Sequence, residues 1–281
     1  MRTRTKIWLI IAASLVLIGC IIFGGVMSML KWDFTKLSTI EYETNNYEIN
    51  QDYKNISIVT KTADIVIVPS GNQKTSVVCH EHKNSKHSVT VNDGTLLIEV
   101  VDTRKWYEYI GINFGTPKIT VYIPQGEYGT LSVKSSTGDI RVENISAGSL
   151  GISVSTGKVT VSDVSCEGDV TVGVSTGKAK LTDIECKNVI SSGNTGNISL
   201  NNVIATEKFS IERSTGDVKF ESCDATEIFV ETDTGTVRGS LLTDKVFITQ
   251  TDTGSIDVPK TVAGGKCEII TDTGDIIITI D

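Results

Sequence analysis

The sequence predicts an all-β protein, a repetitive domain of the parallel β-solenoid type standing behind one N-terminal transmembrane helix. Three observations carry this expectation: a charge-free segment of 24 residues from Ile7 to Leu30, a Thr-Gly pair that recurs eight times at near-constant spacing, and apolar residues that alternate on both sides of each pair. Composition agrees, because Val, Ile, Thr and Ser suit half-buried pleated strands and a hydrophobic content of 39% is enough for a core.

Residues 1–6 are a short basic N-terminus carrying Arg2, Arg4 and Lys6. Residues 7–30 follow as the anchor. At ~1.5 Å per residue this run exceeds the ~30 Å hydrocarbon core, so a helix here spans with some tilt. The basic flank places the N-terminus inside and the remainder outside the cell membrane. A cleaved secretory signal would be shorter and would end at small residues, which do not follow Leu30. Leu17-Ile18-Gly19-Cys20 resembles a lipobox, the second option, in which Cys20 is lipidated after cleavage. Ile21-Ile22-Phe23 then stand where a lipoprotein has a polar tether, which favours the uncleaved anchor.

From Asp33 onward the chain carries all 34 acidic side chains and 22 of the 26 basic ones, a net of −12. Such a domain repels phosphate backbones, so nucleic acid is excluded as a partner.

Residues 131–281 form the repeat array. Its turns carry Gly138, Gly157, Gly177, Gly196, Gly216, Gly235, Gly254 and Gly274, at intervals of 19 or 20 residues. Around Gly157, for example, Leu150 and Ile152 precede the turn and Val159 and Val161 follow it. That period of two marks a half-buried strand on each side, and the glycine gives the turn its backbone freedom. One unit is too small to bury its own apolar face, so neighbours stack into a continuous core. A meander of Thr-Gly hairpins is the other fold compatible with the pattern. Like residues at each turn favour stacking, which sets equivalent positions ~4.8 Å apart.

Residues 31–52 read as a polar tether and first strand. Residues 53–130 read as an irregular β cap over the array's open edge. It contains a degenerate copy, Ile56 to Ile67, with Ala63 at the glycine position, and strands are expected at Thr75–Cys79, Ser88–Val91, Leu96–Val101 and Ile119–Ile123.

Thr62-Ala-Asp-Ile-x-Ile-x-Pro69, then Ile119-Thr-Val-Tyr-Ile-Pro124 leading into Leu131-x-Val133 and repeated Ser-Thr-Gly-Asp-Ile-x-Val, resembles the bacterial "putative adhesin" β-strand-repeat family from about Tyr53 to Asp281. The resemblance implies an envelope-associated β-repeat domain, a domain of unknown function, often behind one membrane helix in Gram-positive bacteria. The last three turns depart from the pattern, with Asp-Thr-Gly in place of Ser-Thr-Gly.

Several groups invite a chemical reading. Asp233, Asp252 and Asp272 precede Thr-Gly as in an aspartic protease, but a stacked column does not make the proton-sharing dyad that chemistry needs. The same column offers oxygen ligands for Ca²⁺, against the plainer reading of solvated turn carboxylates. His80, His82 and His87 offer a weak Zn²⁺ or Cu²⁺ set, with His80 and His82 on one strand face, against the plainer reading of an exposed hairpin. Trp106, Tyr107, Tyr109 and Phe114 cluster in an irregular segment, suited either to ligand recognition or to plugging the end of the array. Cys223 and Cys267 sit at inward positions as small core residues, while Cys166 and Cys186 hold the same place in consecutive units, within reach of a disulfide.

No catalytic residues and no cofactor are expected. The expected role is non-enzymatic binding or structure at the cell surface, with a cell-wall polymer or another envelope protein as partner. An accessory subunit of a membrane envelope-stress system and a polysaccharide-active β-helix enzyme are the alternatives.

Overall fold

The computed structural model describes residues 3–38, 40–109 and 115–281. It divides into two compact units, residues 1–42 with 104–115, and residues 43–103 with 116–281.

The first unit holds α1 (Thr3–Met29), a helix long and apolar enough to cross a membrane. Its C-terminus closes without glycine. The N–H of Trp32 donates to the Met27 carbonyl at 2.8 Å and that of Lys31 to the Ser28 carbonyl at 3.1 Å. Lys31 takes a left-handed φ of 55° to allow this pair of bonds, which satisfies carbonyls that the helix itself leaves open. The unit also contains two 3-10 turns, Phe34–Leu37 and Trp106–Tyr109.

The second unit is all β, as expected. Its first seven strands are β1 (Tyr42–Ile49), β2 (Asn55–Thr62), β3 (Asp64–Pro69), β4 (Thr75–His82), β5 (Ser85–Asn92), β6 (Thr95–Asp102) and β7 (Lys118–Ile123). The repeats supply β8 (Glu127–Thr137), β9 (Ile140–Cys166), β10 (Asp169–Thr195), β11 (Ile198–Thr215) and β12 (Val218–Thr234). Five shorter strands finish the chain: β13 (Val237–Leu241), β14 (Lys245–Thr253), β15 (Ile256–Asp257), β16 (Gly265–Thr273) and β17 (Ile276–Ile280).

Consecutive repeats pair in parallel, displaced by one repeat. Leu131 faces Leu150, which faces Val170. Beyond the turn, Val159 faces Ala179, then Ile198, then Val218. Among the described residues, the strands flanking a Thr-Gly turn pair with neighbouring repeats and not with each other, so hairpins do not form there.

Each coil has a third side. In the coil of Gly177, Val170, Val172 and Val174 point inward before the turn, Ala179 and Leu181 after it, and Ile184 and Cys186 beyond a second corner, all buried. Asp183 makes that corner with φ 53°, and Asn144, Asp163, Asn202 and Ser222 repeat it at φ 50° to 55°. Asn and Asp tolerate this left-handed region better than most residues. The buried side chains form one apolar cluster from Ile56 to Ile278.

Chain order and spatial order part at both ends. The first coil, β2–β3, lies between β6–β7 (Ile56 facing Leu96, Ile65 facing Ile119) and the Gly138 coil (Ile56 facing Leu131, Ile65 facing Ile140). The last coil, β16–β17, lies between β12–β13 (Cys267 facing Ile228) and β14–β15 (Cys267 facing Phe247). The strands expected between residues 75 and 123 fall within β4, β5, β6 and β7. Antiparallel β4 covers β7, antiparallel β5 covers β6, and β1 runs along β4.

Stacking fixes the turn residue. Gly196 has φ 124°, and a Cβ on it would overlap the carbonyl oxygen of Gly177 in the coil below. Each other turn glycine meets the carbonyl of the coil below in the same way, Gly138 that of Ala63, Gly274 that of Gly235 and Gly254 that of Gly274. Ladder bonds follow the spatial order: the N–H of Gly216 donates to Thr234 at 2.8 Å, that of Gly235 to Thr273 at 2.9 Å, and that of Gly274 to Thr253 at 2.9 Å.

Two outcomes follow. Gly196→Ala should cost about 3 kcal/mol or more through overlap and backbone strain, whereas Gly151→Ala, with open space around its Cβ, should be neutral or gain up to about 1 kcal/mol. Thermal melts of the two variants check this. Deleting residues 265–281 removes the level next to the outermost one rather than the outermost itself, so β14 and β15 lose their only ladder partners among the described residues and limited proteolysis of the shortened chain should release them.

Candidate functional site

Strand β4 turns Thr75, Val77, Cys79 and Glu81 inward and leaves Ser76, Val78, His80 and His82 half-exposed. His80 and His82 therefore share a face, but His87 does not join them. β4 and β5 pair only at His82 and Ser85, after which β4 follows β7 and β5 follows β6. That divergence carries His87 into the interior. His80 Nδ1 lies 3.1 Å from Thr44 Oγ1, and His82 Nδ1 accepts the Asn84 N–H at 2.9 Å. His87 therefore joins His80 and His82 neither as the weak metal-ligand set nor on an exposed hairpin: the side chains brought together are Cys79, Glu81 and His87, all buried, each offering one ligand atom within 4.8 Å of the others.

Glu81 is fully enclosed and His87 is 4% exposed. Glu81 Oε2 accepts the His87 backbone N–H at 2.6 Å and lies 2.7 Å from His87 Nδ1. Glu81 Oε1 accepts Asn45 Nδ2 at 2.8 Å. On the far side of the ring, His87 Nε2 lies 3.0 Å from Thr60 Oγ1. Tyr47 donates its hydroxyl to the His87 carbonyl at 3.2 Å. These contacts let a carboxylate and an imidazole sit in an apolar interior, where unpaired polar groups are costly. Burial, and next the charge of Glu81, pushes the Cys79 thiol up to about 12, so it is protonated and not a nucleophile.

Asp233, Asp252 and Asp272 are exposed, with Asp272 between the other two because β16 lies between β12 and β14. Among the described residues they do not gather as a metal-ligand set. The carboxylates that hold turns together come one residue after the turn glycine, or after Ala63 in the first coil, a role the sequence reading missed. Asp64 Oδ1 accepts the Asp139 N–H at 2.9 Å and Asp139 Oδ1 accepts the Lys158 N–H at 2.8 Å. Asp217 Oδ1 accepts the Thr236 N–H at 3.0 Å, and Asp275 Oδ1 accepts the N–H of Ser255 at 2.7 Å and its hydroxyl at 2.8 Å. The Ser255 bonds, backbone first, hold the Asp275 carboxyl below its usual range. The signal was present as Asp or Asn after Gly at positions 139, 197, 217 and 275.

Arg213 was missed as well. It occupies an inward position where two earlier coils place Val154 and Val174 and the adjacent coils place Gly193 and Thr232, and it is 4% exposed. Its guanidinium fills the space left by Gly193 and donates from Nη2 to Ser191 Oγ at 2.7 Å. Ser191 Oγ in turn donates to the Val172 carbonyl at 2.9 Å. The Nε is buried without a partner, and burial lowers the group to about 10.

Of the aromatic segment, Trp106 is 76% exposed and Tyr107 and Tyr109 lie on the same 3-10 turn. Phe114 lies outside the described residues. Among the described residues all the cysteines are free thiols, and burial pushes Cys166 and Cys186 up to about 11 and about 12.

The two buried polar groups should respond oppositely to removal. Glu81→Ala strands the His87 N–H and Asn45, and should cost about 3–5 kcal/mol. Arg213→Met replaces an uncompensated buried charge with a similar volume, and should be neutral or stabilising. Denaturant unfolding of both variants gives the comparison.

Solved structures of similar fold are of low identity. A "putative lipid binding protein" from Parabacteroides distasonis is 16% identical with a TM-score of 0.51, covering 86% of this chain and 98% of that one. A "putative adhesin" from Bacteroides fragilis is 19% identical with a TM-score of 0.49, covering 71% and 97% respectively. No curated protein matches the sequence. The Toastrack DUF4097 pattern matches twice, over residues 53–168 and 167–281, and the chain belongs to that family.

Proposed function

We infer that this chain is a non-enzymatic, single-pass membrane protein of the cell envelope. Its β domain is a parallel solenoid presented outside the membrane, where it binds a wall polymer or an envelope protein, or serves as a structural element. The observation that carries this reading is the unbroken parallel stack following an apolar helix with a basic N-terminal flank. Parallel coils stacked on one core make a stiff body of regular polar ladders, suited to presenting a surface. Support against an enzymatic role comes from the turn carboxylates, which form backbone-bonded ladders in place of a cleft. The names of the solved neighbours, adhesin and lipid-binding protein, agree with binding. Trp106 is the recognition residue in this reading, since an exposed aromatic on a turn gives contact area at small entropic cost.

The test is full-length protein in vesicles, first treated with protease to establish which side the β domain faces, then incubated with isolated cell wall. Saturable co-sedimentation, weakened about tenfold by Trp106→Ala, is the expected result. Absence of saturable binding rejects the recognition role, and a protease-protected β domain rejects the outward orientation.

A further inference from the structure

We propose that Cys79, Glu81 and His87 bind one transition-metal dication of the Zn²⁺ class, through Sγ, Oε2 and Nδ1. The ligand types suit a borderline-soft ion, and their atoms already lie within 4.8 Å of one another. Metal–sulfur bonds of ~2.3 Å and metal–nitrogen or –oxygen bonds of ~2.0–2.1 Å set tetrahedral ligands about 3.3–3.6 Å apart. From separations of at most 4.8 Å the sulfur closes by up to about 1.5 Å, while Oε2 and Nδ1, now 2.7 Å apart, open by about 0.6 Å, both within the reach of side-chain adjustment.

The surroundings carry the inference further than the three ligands alone. A metal-bound imidazole commonly has its other nitrogen held by a hydrogen bond, and a bound carboxylate its other oxygen. Both holds are present. Thr60 Oγ1 sits 3.0 Å from His87 Nε2, leaving Nδ1 directed at Glu81. Asn45 Nδ2 holds Glu81 Oε1 at 2.8 Å, leaving Oε2 directed at His87. Oε2 and Nδ1 are 2.7 Å apart, bridged by a proton that the cation replaces.

Charge and protons balance. The S–H bond of Cys79 breaks and its proton goes to solvent. The imidazole stays neutral by a change of tautomer: the proton displaced from Nδ1 is made up at Nε2, which then donates to Thr60 Oγ1, so one proton in all is released. Thiolate and carboxylate together neutralise a dication with a neutral imidazole, so the buried site carries no net charge and avoids the penalty of an uncompensated ion. No oxidant or further reactant is involved. Because all three side chains are buried, loading accompanies folding.

The experiment uses the full-length chain in detergent, unfolded in denaturant and refolded with Co²⁺ as a spectroscopic stand-in for Zn²⁺. The expected result is one Co²⁺ per chain, with a thiolate-to-cobalt charge-transfer band that Zn²⁺ displaces. Cys79→Ser abolishes the band, the double change Cys166→Ser with Cys186→Ser preserves it, and Thr60→Val weakens affinity by about 10–100-fold. A refolded wild type with no thiolate–cobalt band overturns the proposal, as does a band that survives Cys79→Ser. Should Cys79→Ser misfold, X-ray absorption on the Zn²⁺-loaded wild type decides: one sulfur in the coordination shell is expected, and none or more than one overturns it.

Discussion

Everything in the β unit depends on how closely one turn glycine sits on the next. Backbone atoms meet there with no side chain between them. The carbonyl oxygen of Gly177 lies against the Cα of Gly196, and the coils cannot approach to ladder distance if a Cβ intervenes. Once that contact is set, the N–H of Gly138, Gly196, Gly216, Gly235 and Gly274 reaches the threonine carbonyl of the coil above, and Asp64, Asp139 and Asp217 reach an N–H of the next turn. Toward the C-terminal end the glycine carbonyl takes a further donor. Thr232, Thr271 and Thr251 each direct a hydroxyl to the glycine one level below, at 3.4, 3.1 and 2.9 Å. A single contact geometry therefore organises donors of three kinds in a column.

A parallel stack has the difficulty that it ends. Coils in strict chain order would leave each terminus as a bare level, a template for another chain. Here the terminal segments of the β unit are folded inward by one level, so β2–β3 and β16–β17 each have a coil on both sides. The levels left outermost differ in kind. At one end antiparallel β4 and β5 cross-cover β7 and β6. At the other, the outer coil sets Thr249 over the column of Val230 and Ile269, and buried Lys245 pairs with Asp224 at 2.6 Å.

This permutation was not legible in the sequence, and the reason is physical. Every coil offers nearly the same face, so Cys267 packs as readily on Ile228 as Phe247 would. Local pattern decides that coils stack but not which coil lies next to which. The strands and the turn glycines were legible because period-two alternation and a spacing of 19 or 20 residues are local. The third side was hidden by its brevity, two inward residues such as Ile184 and Cys186 after a corner that uses Asn, Asp or Ser in place of glycine. Among site residues, His80 and His82 fell on a shared face as alternation requires. His87 escaped because its direction depends on β5 leaving β4 after one pair, a tertiary event.

The exceptions to the apolar interior are confined to places where the stack supplies the compensation. Arg213 enters the core only because Gly193 vacates a side-chain volume in the coil below and Ser191 offers a hydroxyl there. A repeat protein can accommodate such a change across two adjacent coils, since each coil meets only its neighbours. Glu81 and His87 are accommodated differently. Their partners Asn45 and Thr60 come from β1 and β2, so the polar group draws on three separate segments of chain rather than on one repeat. Arg213 is thus a local variation that the array absorbs. The Glu81–His87 group instead ties β1, β2, β4 and β5 to one another, at the end where the regular ladder gives way to antiparallel strands and repeat-to-repeat bonding no longer holds the segments in place.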